Sequence, residues 1–232
     1  MQIDILSLFP NYFKGPFDES IVKRAIENKI IDIRLVDIRQ FADNKFNRVD
    51  DRPYGGGPGM VLMPEPVAKA IQSVKTDKSH VVYLSPQGSV LTAQKSRELS
   101  KKEHLILLCG AYEGVDERVL QTEVDEEISI GDYVLTNGCL AAIVLVDAMV
   151  RFVPGVIGHE EAANNDSFEN GLCDCSHYTR PANYKGQLVP EVLLSGNHKK
   201  IAEWRQQSAE ENTKKKRPDL IEKQKKMLGE TT

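Results

Sequence analysis

The sequence predicts an α/β protein built on a parallel sheet, and three features carry that prediction. Its start alternates strand, helix and strand; its middle holds the short apolar run His104–Cys109 (HLILLC); and several strands run straight into glycine-bearing turns. An almost uninterrupted apolar run is how a strand buried on both faces of a parallel sheet reads. Strand–helix–strand alternation is the signature of the parallel layout. Turns at the carboxyl ends of parallel strands leave backbone N–H groups pointing outward, which is where open α/β sheets take ligands. Several such turns between residues 104 and 152 point to a pocket made largely of backbone.

Residues 2–9, ending before Pro10, read as the first core strand. Within 18–28, Ile21, Val22, Ala25 and Ile26 recur at helical spacing, predicting a helix capped near Asp18. Residues 31–37 (IDIRLVD) alternate as a strand. Residues 40–63 are polar and glycine-rich, with RPYGGGPGM at 52–60. A loop this long in a compact domain is a lid or a binding loop, and its glycine run also suits an anion nest. The G-x-x-x-x-G-K-[ST] phosphate loop is absent. Residues 65–74 read as a helix with Val67, Ala68 and Ile71 inward, and 80–84 (HVVYL) as a buried strand closing on the turn Ser85-Pro86-Gln87-Gly88. Thr92 caps a helix through Leu99. After HLILLC, Gly110 ends the strand; a further strand at 127–130 runs into Gly131-Asp132-Tyr133, and Thr136-Asn137-Gly138-Cys139 opens an apolar helix over 140–152. Residues 154–165, with Gly155, Gly158 and Asn164-Asn165, read as a linker, whereas 166–181 (DSFENGLCDCSHYTRP) carries too many kinds of polar group to be filler. Helices follow Ser195-Gly196-Asn197, the first docked through Ile201, Ala202 and Trp204. The sheet then has about five strands, near the usual number.

The chain has 232 residues, enough for one buried core and a smaller second unit. Its hydrophobic content of 41% and charged content of 28% are ordinary for a soluble globular protein. No apolar run reaches membrane-span length and the N-terminus shows no leader, so a cytoplasmic protein without membrane attachment is expected. Cys109, Cys139, Cys173 and Cys175 contain no C-x-x-C pair and read as reduced thiols; C-x-C-x-H is a poor tetrahedral spacing, which disfavours zinc binding by Cys173, Cys175 and His177, so no metal site is expected. The net charge of −4 is unevenly spread: residues 198–226 hold ten Lys/Arg against five acids, leaving −9 for the remainder. Such asymmetry fits a polyanionic partner, and equally a solvated helical tail.

The order of the motifs is more specific than any one of them. IDILSLFP at the start, DDRPYGGGPGMVLMPEP at 50–66, YLSPQG at 83–88, CGAYEGVDER at 109–118, ISIGDYVL at 128–135, DAMVRFVPGVIG at 147–158, DSFENGLCDCSHYTRP at 166–181 and LLSGNHKKIAEWR at 193–205 together resemble the bacterial tRNA (guanine-N1-)-methyltransferases of the trefoil-knotted SPOUT superfamily. The resemblance covers essentially the whole chain. It implies a parallel-sheet α/β domain with a deep C-terminal trefoil knot over residues 1–160, a linker over 161–175, and a small α-helical tRNA-binding domain over 176–232. A threaded knot is a rare exception to the usual rule of chain topology.

The resemblance also implies the activity: transfer of a methyl group from S-adenosylmethionine to N1 of the guanosine immediately 3′ of the anticodon in tRNA. The cofactor would lie against three loops, formed by Tyr83, Leu84, Ser85, Pro86 and Gly88; by Gly110, Tyr112, Glu113 and Gly114; and by Ile130, Gly131, Tyr133, Leu135, Asn137, Gly138 and Ala141. Guanine N1 carries a proton at neutral pH, so the reaction needs a base, and charge develops on O6, so it needs a cation or directed donor. By resemblance Asp166 is the base, Arg151 serves O6, and Ser167 helps position them. Asp50, Arg52, Gly55, Gly56, His177, Arg180, Lys199 and Arg205 are the expected tRNA contacts. The family works as a homodimer with its site at the subunit interface and uses magnesium, so Mg²⁺ dependence is also implied.

Asp166-Ser167 is also a good helix-capping pair, and Arg151 also complements a helix C-terminus. Two rival functions stand beside the main one: a noncatalytic tRNA-binding protein of this fold, and a knotted ribose 2′-O-methyltransferase. The sequence departs from the family pattern at Asn137, Cys139, Ala141, Ala111 and Ser176. Asn137 replaces a glycine and is the residue most tolerant of positive φ after it, so retained but weakened cofactor affinity is expected.

Overall fold

The computed structural model describes residues 1–43, 45–158 and 166–227, and the chain divides into two compact units, residues 1–158 and 159–232. The first unit contains strands β1 (Gln2–Ser7), β2 (Asp32–Asp37), β3 (Asp50–Asp51), β4 (Val61–Leu62), β5 (Ser79–Val90), β6 (His104–Cys109) and β7 (Glu126–Ser129). Its helices are α1 (Ser20–Glu27), α2 (Pro64–Val74), α3 (Ala93–Leu99), α4 (Glu117–Glu123) and α5 (Cys139–Val150). Five strands form one wholly parallel sheet in the order β2-β1-β6-β5-β7.

The HLILLC run sits at the centre, and its side chains serve both faces. Leu105, Leu107 and Cys109 pack with α1, α3 and α5, while Ile106 and Leu108 pack with α2 and α4. All six residues of β6 are buried. Successive side chains of a strand point to opposite faces, so a central strand covered by helices on both sides must be apolar at nearly every position.

His104, the polar first residue of that run, is accommodated at the amino edge of the sheet by a hydrogen-bonded chain. Its Nε2 lies 2.7 Å from Asp4 Oδ2 and its Nδ1 2.8 Å from Ser79 Oγ. Asp4, fully buried, also accepts two hydrogen bonds from Arg34, at 2.6 and 2.7 Å, and one from Gln2 at 3.1 Å. A second charged cluster joins β5 and β7 to α3: Glu126 bonds His80 at 2.7 Å and Lys95 at 2.9 Å. Burial raises the Glu126 carboxyl, but hydrogen bonds from His80 and Lys95 outweigh it and hold the group below its ordinary value. A carboxylate depressed on folding stabilises above its unfolded pKa and loses that contribution as pH falls through its folded pKa. Urea midpoints of the parent and Glu126→Gln are therefore expected to differ at neutral pH and to converge on acidification.

Several expected boundaries shift. Asp18 does not cap α1; its carboxylate accepts from Gly15 N–H at 2.8 Å, and α1 begins two residues later behind Glu19 without a side-chain cap. Thr92 does cap α3, accepting from Lys95 N–H at 3.1 Å. The strand expected at 80–84 runs on to Val90, with an irregularity rather than a terminal turn after Leu84. The long polar stretch 40–63 contains the small antiparallel pair β3–β4, and α4 begins within the CGAYEGVDER motif, at Glu117 behind the cap Asp116.

The second unit, taken by itself, comprises the hairpin β8 (Asn183–Tyr184) and β9 (Gln187–Leu188), then α6 (Glu191–Leu194), α7 (His198–Lys216) and α8 (Pro218–Met227). Asn197 caps α7 by accepting from Lys200 N–H at 3.2 Å. Trp204 is half-buried against Tyr178, ring centroids 6.1 Å apart, whereas Ala202 is exposed rather than docked. The expected linker residues Asn164 and Asn165 lie outside the described residues. Among the described residues no helix is long and apolar enough to cross a membrane.

Candidate active site

At the carboxyl ends of β5, β6 and β7 lies a cavity of about 260 Å³, and three chain segments make its walls. The first is extruded from β5. Leu84 and Ser89 both oppose Ile128 of β7, so residues 85–88 bulge out of the ladder. Gly88 closes the bulge against β7: a Cβ there would lie 2.4 Å from Glu127 C and Ile128 N. Of the expected cofactor residues, Gly88 alone does not line the cavity. The close approach of the β7 backbone is what requires a glycine at this position.

The second segment folds around Tyr83. A Cβ on Gly110 would lie 2.7 Å from the Tyr83 hydroxyl and one on Gly114 3.2 Å from it, so the two glycines leave space for the phenol. Burial and the nearby Glu127 carboxylate push that phenol up to about 12. Between the glycines Tyr112 adopts φ 58°, unusual for a residue with a side chain, and stands exposed at the cavity wall.

The third segment crosses the second. Gly138 N–H donates to Gly110 O at 2.8 Å, and Ala111 pairs with Asn137 as an isolated antiparallel bridge. Asn137 takes no positive φ; its side chain accepts from Cys139 N–H at 2.9 Å and so caps the turn into α5. The departure from glycine is thereby accommodated, by side-chain capping and not by left-handed backbone. Gly138 is confined more tightly, since a Cβ would lie 2.9 Å from Cys109 Cα and 3.0 Å from Gly110 N. Gly138→Ala is expected to force the two crossing segments apart and weaken cofactor affinity at least about 10-fold, a loss of ~1.4 kcal/mol measured by isothermal titration. Cys139 lies buried behind the wall, its Sγ 3.1 Å from Ser7 Oγ. Hydrogen bonding from Cys109 lowers its thiol to about 7, against burial and with help from Ser7.

Tyr83, Leu84, Ser85, Pro86, Gly110, Tyr112, Glu113, Gly114, Ile130, Gly131, Tyr133, Leu135, Asn137, Gly138 and Ala141 all line this one cavity. Gln87, Ala111, Ile128, Ser129, Val134 and Thr136 join them without having been singled out; their signal was only their place in the same loops. Glu113 is the sole charged residue among the lining side chains.

The glycine-rich loop is fastened to this wall at its far end. Glu113 N–H donates to Met60 O at 3.0 Å, Leu62 N–H to Gly114 O at 2.9 Å, and a Cβ on Gly59 would collide with the Glu113 side chain at 2.3 Å. Asp50 pairs with Leu62 in the β3–β4 ladder, and exposed Arg52 follows directly. Gly55 and Gly56 have positive φ with open space around them.

Arg151 is exposed at the opposite end of α5 from the cavity. A helix of this length separates its ends by about 18 Å. The chain beyond it passes the amino edge of the sheet, where a Cβ on Gly155 would lie 3.5 Å from Ile30 Cδ1.

In the second unit Asp166, Asn170, Cys173, Asp174, Cys175, His177, Ala202, Arg205, Gln206 and Ala209 line a cavity of about 530 Å³. Ser167 Oγ accepts from Asp174 N–H at 2.9 Å, closing the 166–174 loop on itself and displacing the simple helix-cap reading of this pair. His177 Nε2 lies 2.8 Å from Asp174 Oδ2. Arg180 and Lys199 are exposed and lie outside this cavity.

The family model described as tRNA (Guanine-1)-methyltransferase TrmD matches residues 1–223. A protein of Protochlamydia amoebophila named tRNA (guanine-N(1)-)-methyltransferase is 67% identical over 221 residues, covering 95% of this chain and 100% of the relative. Proteins of the same name from Chlamydia pneumoniae and Chlamydia muridarum are 58% and 60% identical over 220 residues, again 95% of this chain but 61% and 62% of the relatives. The chain thus spans about three fifths of the length of those two. With a family match that runs through both units, and with the cavity-lining loops inside it, the chain belongs to the tRNA (guanine-1)-methyltransferase family.

Proposed function

We propose that this chain transfers the methyl group of S-adenosylmethionine to N1 of the guanosine immediately 3′ of the anticodon in tRNA, as a cytoplasmic homodimer with a knotted methyltransferase domain. The observation that carries the donor assignment is the chemistry of the cavity wall: apolar at Leu84, Ile130 and Leu135, otherwise rich in backbone polar groups, and with one carboxylate and no basic side chain. Such a wall suits an uncharged nucleoside joined to a cation, and disfavours a phosphate-bearing cofactor. The volume is near the lower end of small-molecule pockets, about 300 Å³. S-adenosylmethionine brings a methyl group on a positively charged sulfur. Tyr112 and Tyr133 offer ring faces, and Glu113 a carboxylate, to a cation held there.

Asp166 takes the N1 proton as attack begins, Arg151 balances the charge that develops on O6, and Ser167 holds the turn that presents Asp166. Arg151 lies a whole helix away from the cavity of its own chain, further than an arginine side chain extends. This supports a site completed by a second copy, in which Arg151 of one subunit serves the cavity of the other. Leu140 and Val144, one turn apart and exposed on an α5 whose one charged residue is Asp147, suit the surface such a dimer would bury. The crossing of residues 137–139 over 109–111 supports the knot. The exposed Arg52, Arg180, Lys199 and Arg205 suit phosphate contacts. Magnesium is assigned no step: among the described residues no all-oxygen donor cluster suits it.

The test is incubation of the purified chain with methyl-labelled S-adenosylmethionine and a tRNA transcript, with the product mapped to base or sugar. Label at N1 of that guanine is expected. Label on a ribose, or tRNA binding without transfer, would sink the proposal.

A further inference from the structure

Apart from His177, an expected tRNA contact, the segment Cys173-Asp174-Cys175-Ser176-His177 holds donor chemistry that the proposed methyl transfer does not use. Asp174, Cys175 and His177 each direct one ligand atom, an oxygen, a sulfur and a nitrogen, so that all three lie within 4.8 Å of one another. We propose that these three side chains bind a borderline-soft divalent cation, Zn²⁺ being the best match. A carboxylate, a thiolate and an imidazole together select Zn²⁺ over the hard cations Mg²⁺ and Ca²⁺, and three protein ligands leave the fourth tetrahedral position open.

Two observations make this a built site rather than a chance meeting of polar residues. The backbone that carries the ligands is tied to α7: Cys173 N–H donates to Thr213 Oγ1 at 2.8 Å, Ser176 N–H to Ser208 Oγ at 3.0 Å, and Asn212 Nδ2 to Asp174 O at 3.0 Å. Thr213 and Ser208 are buried polar residues on the inner face of α7, placed to meet those amides. The donors also line the 530 Å³ cavity, which leaves room for an exogenous fourth ligand such as water. Binding replaces the Asp174–His177 hydrogen bond with two metal bonds, and Cys175 joins as thiolate, releasing its proton to solvent. Arg205 lines the same cavity and opposes a cation there, so the site is one of moderate affinity. An ion bound to Asp174 would act on the loop closed by its N–H on Ser167, beside Asp166, and so on the segment proposed to carry the base.

The experiment is a Co²⁺ titration of the full chain, read by the thiolate-to-cobalt charge-transfer absorption, followed by competition with Zn²⁺ and separately with Mg²⁺. One Co²⁺ per chain is expected, displaced by Zn²⁺ and not by excess Mg²⁺. Cys175→Ser is expected to abolish the band, and His177→Ala to weaken binding by about 10- to 100-fold or more. Cys173→Ser, with its thiol in the same cavity but outside the donor set, is expected to retain the band. Circular dichroism of each variant separates lost binding from lost folding. No band at millimolar Co²⁺, a band kept by folded Cys175→Ser, or displacement by Mg²⁺ would overturn the assignment.

Discussion

Asp166→Ala is expected to slow methyl transfer to N1 by about 10²- to 10⁴-fold, the usual worth of a positioned general base. Guanine N1 has no free lone pair in the plane of the ring until its proton leaves, so without a base the attack must wait for the rare deprotonated form. Asp166→Asn keeps the shape but removes the proton acceptor and is expected to lose nearly as much. Cofactor affinity should be unchanged in both, because every residue lining the proposed donor cavity lies between 83 and 141. Isothermal titration and single-turnover transfer measured on the same preparation separate the two quantities. A matching loss of cofactor binding would reassign Asp166 to a structural role, and a rate within about threefold of the parent would remove it from catalysis. The subunit arrangement adds a sharper arm. Mixing Asp166→Ala subunits with Gly138→Ala subunits, at a cofactor concentration too low to load Gly138→Ala, should raise activity above that of either variant alone if one chain supplies the base and the other the cavity, and should not if each chain is self-sufficient.

The second large effect concerns stability. Asp4→Ala is expected to destabilise the first unit by about 3–5 kcal/mol, the usual result of removing one partner from a buried charged network. At roughly 2–4 °C per kcal/mol for a unit of this size, that is a fall in melting temperature of about 6–20 °C. Asp4 is fully buried and joins β1 to Arg34 of β2 and His104 of β6, so its loss leaves the largely buried His104 ring without its acceptor. Arg34 is about half exposed and regains water, so Arg34→Ala should cost clearly less. Thermal denaturation of both variants decides the matter; equal losses would mean that the pair with Arg34, not the link to His104, dominates.

Much of this arrangement was legible in the chain itself. HLILLC announced a strand covered on both faces, and the glycines at 110, 114, 131 and 138 announced loops that meet around one cavity. Those readings depend on local rules: side-chain alternation, left-handed backbone at glycine, and the spacing of caps. They fell short where another contact intervened: Asp18 is drawn to Gly15, three residues back, instead of capping α1, and the backbone of β7 crowds Gly88 closely enough to require a glycine there. Residues 85–88 read as a turn because nothing local to HVVYLSPQG reveals that β7 continues alongside and recovers the strand at Ser89.

By itself the sequence determined the parallel α/β class and, through the order of its motifs, the family, and that resemblance named most residues of the cavity wall, because each of these is written in short segments. Only the tertiary structure decided that Arg151 stands a helix length from its own cavity, that Asn137 caps α5 through its side chain, and that Asp174, Cys175 and His177 converge. Those facts depend on where folded segments bring one another in space, and distance across a fold is the one quantity that spacing along a chain does not contain.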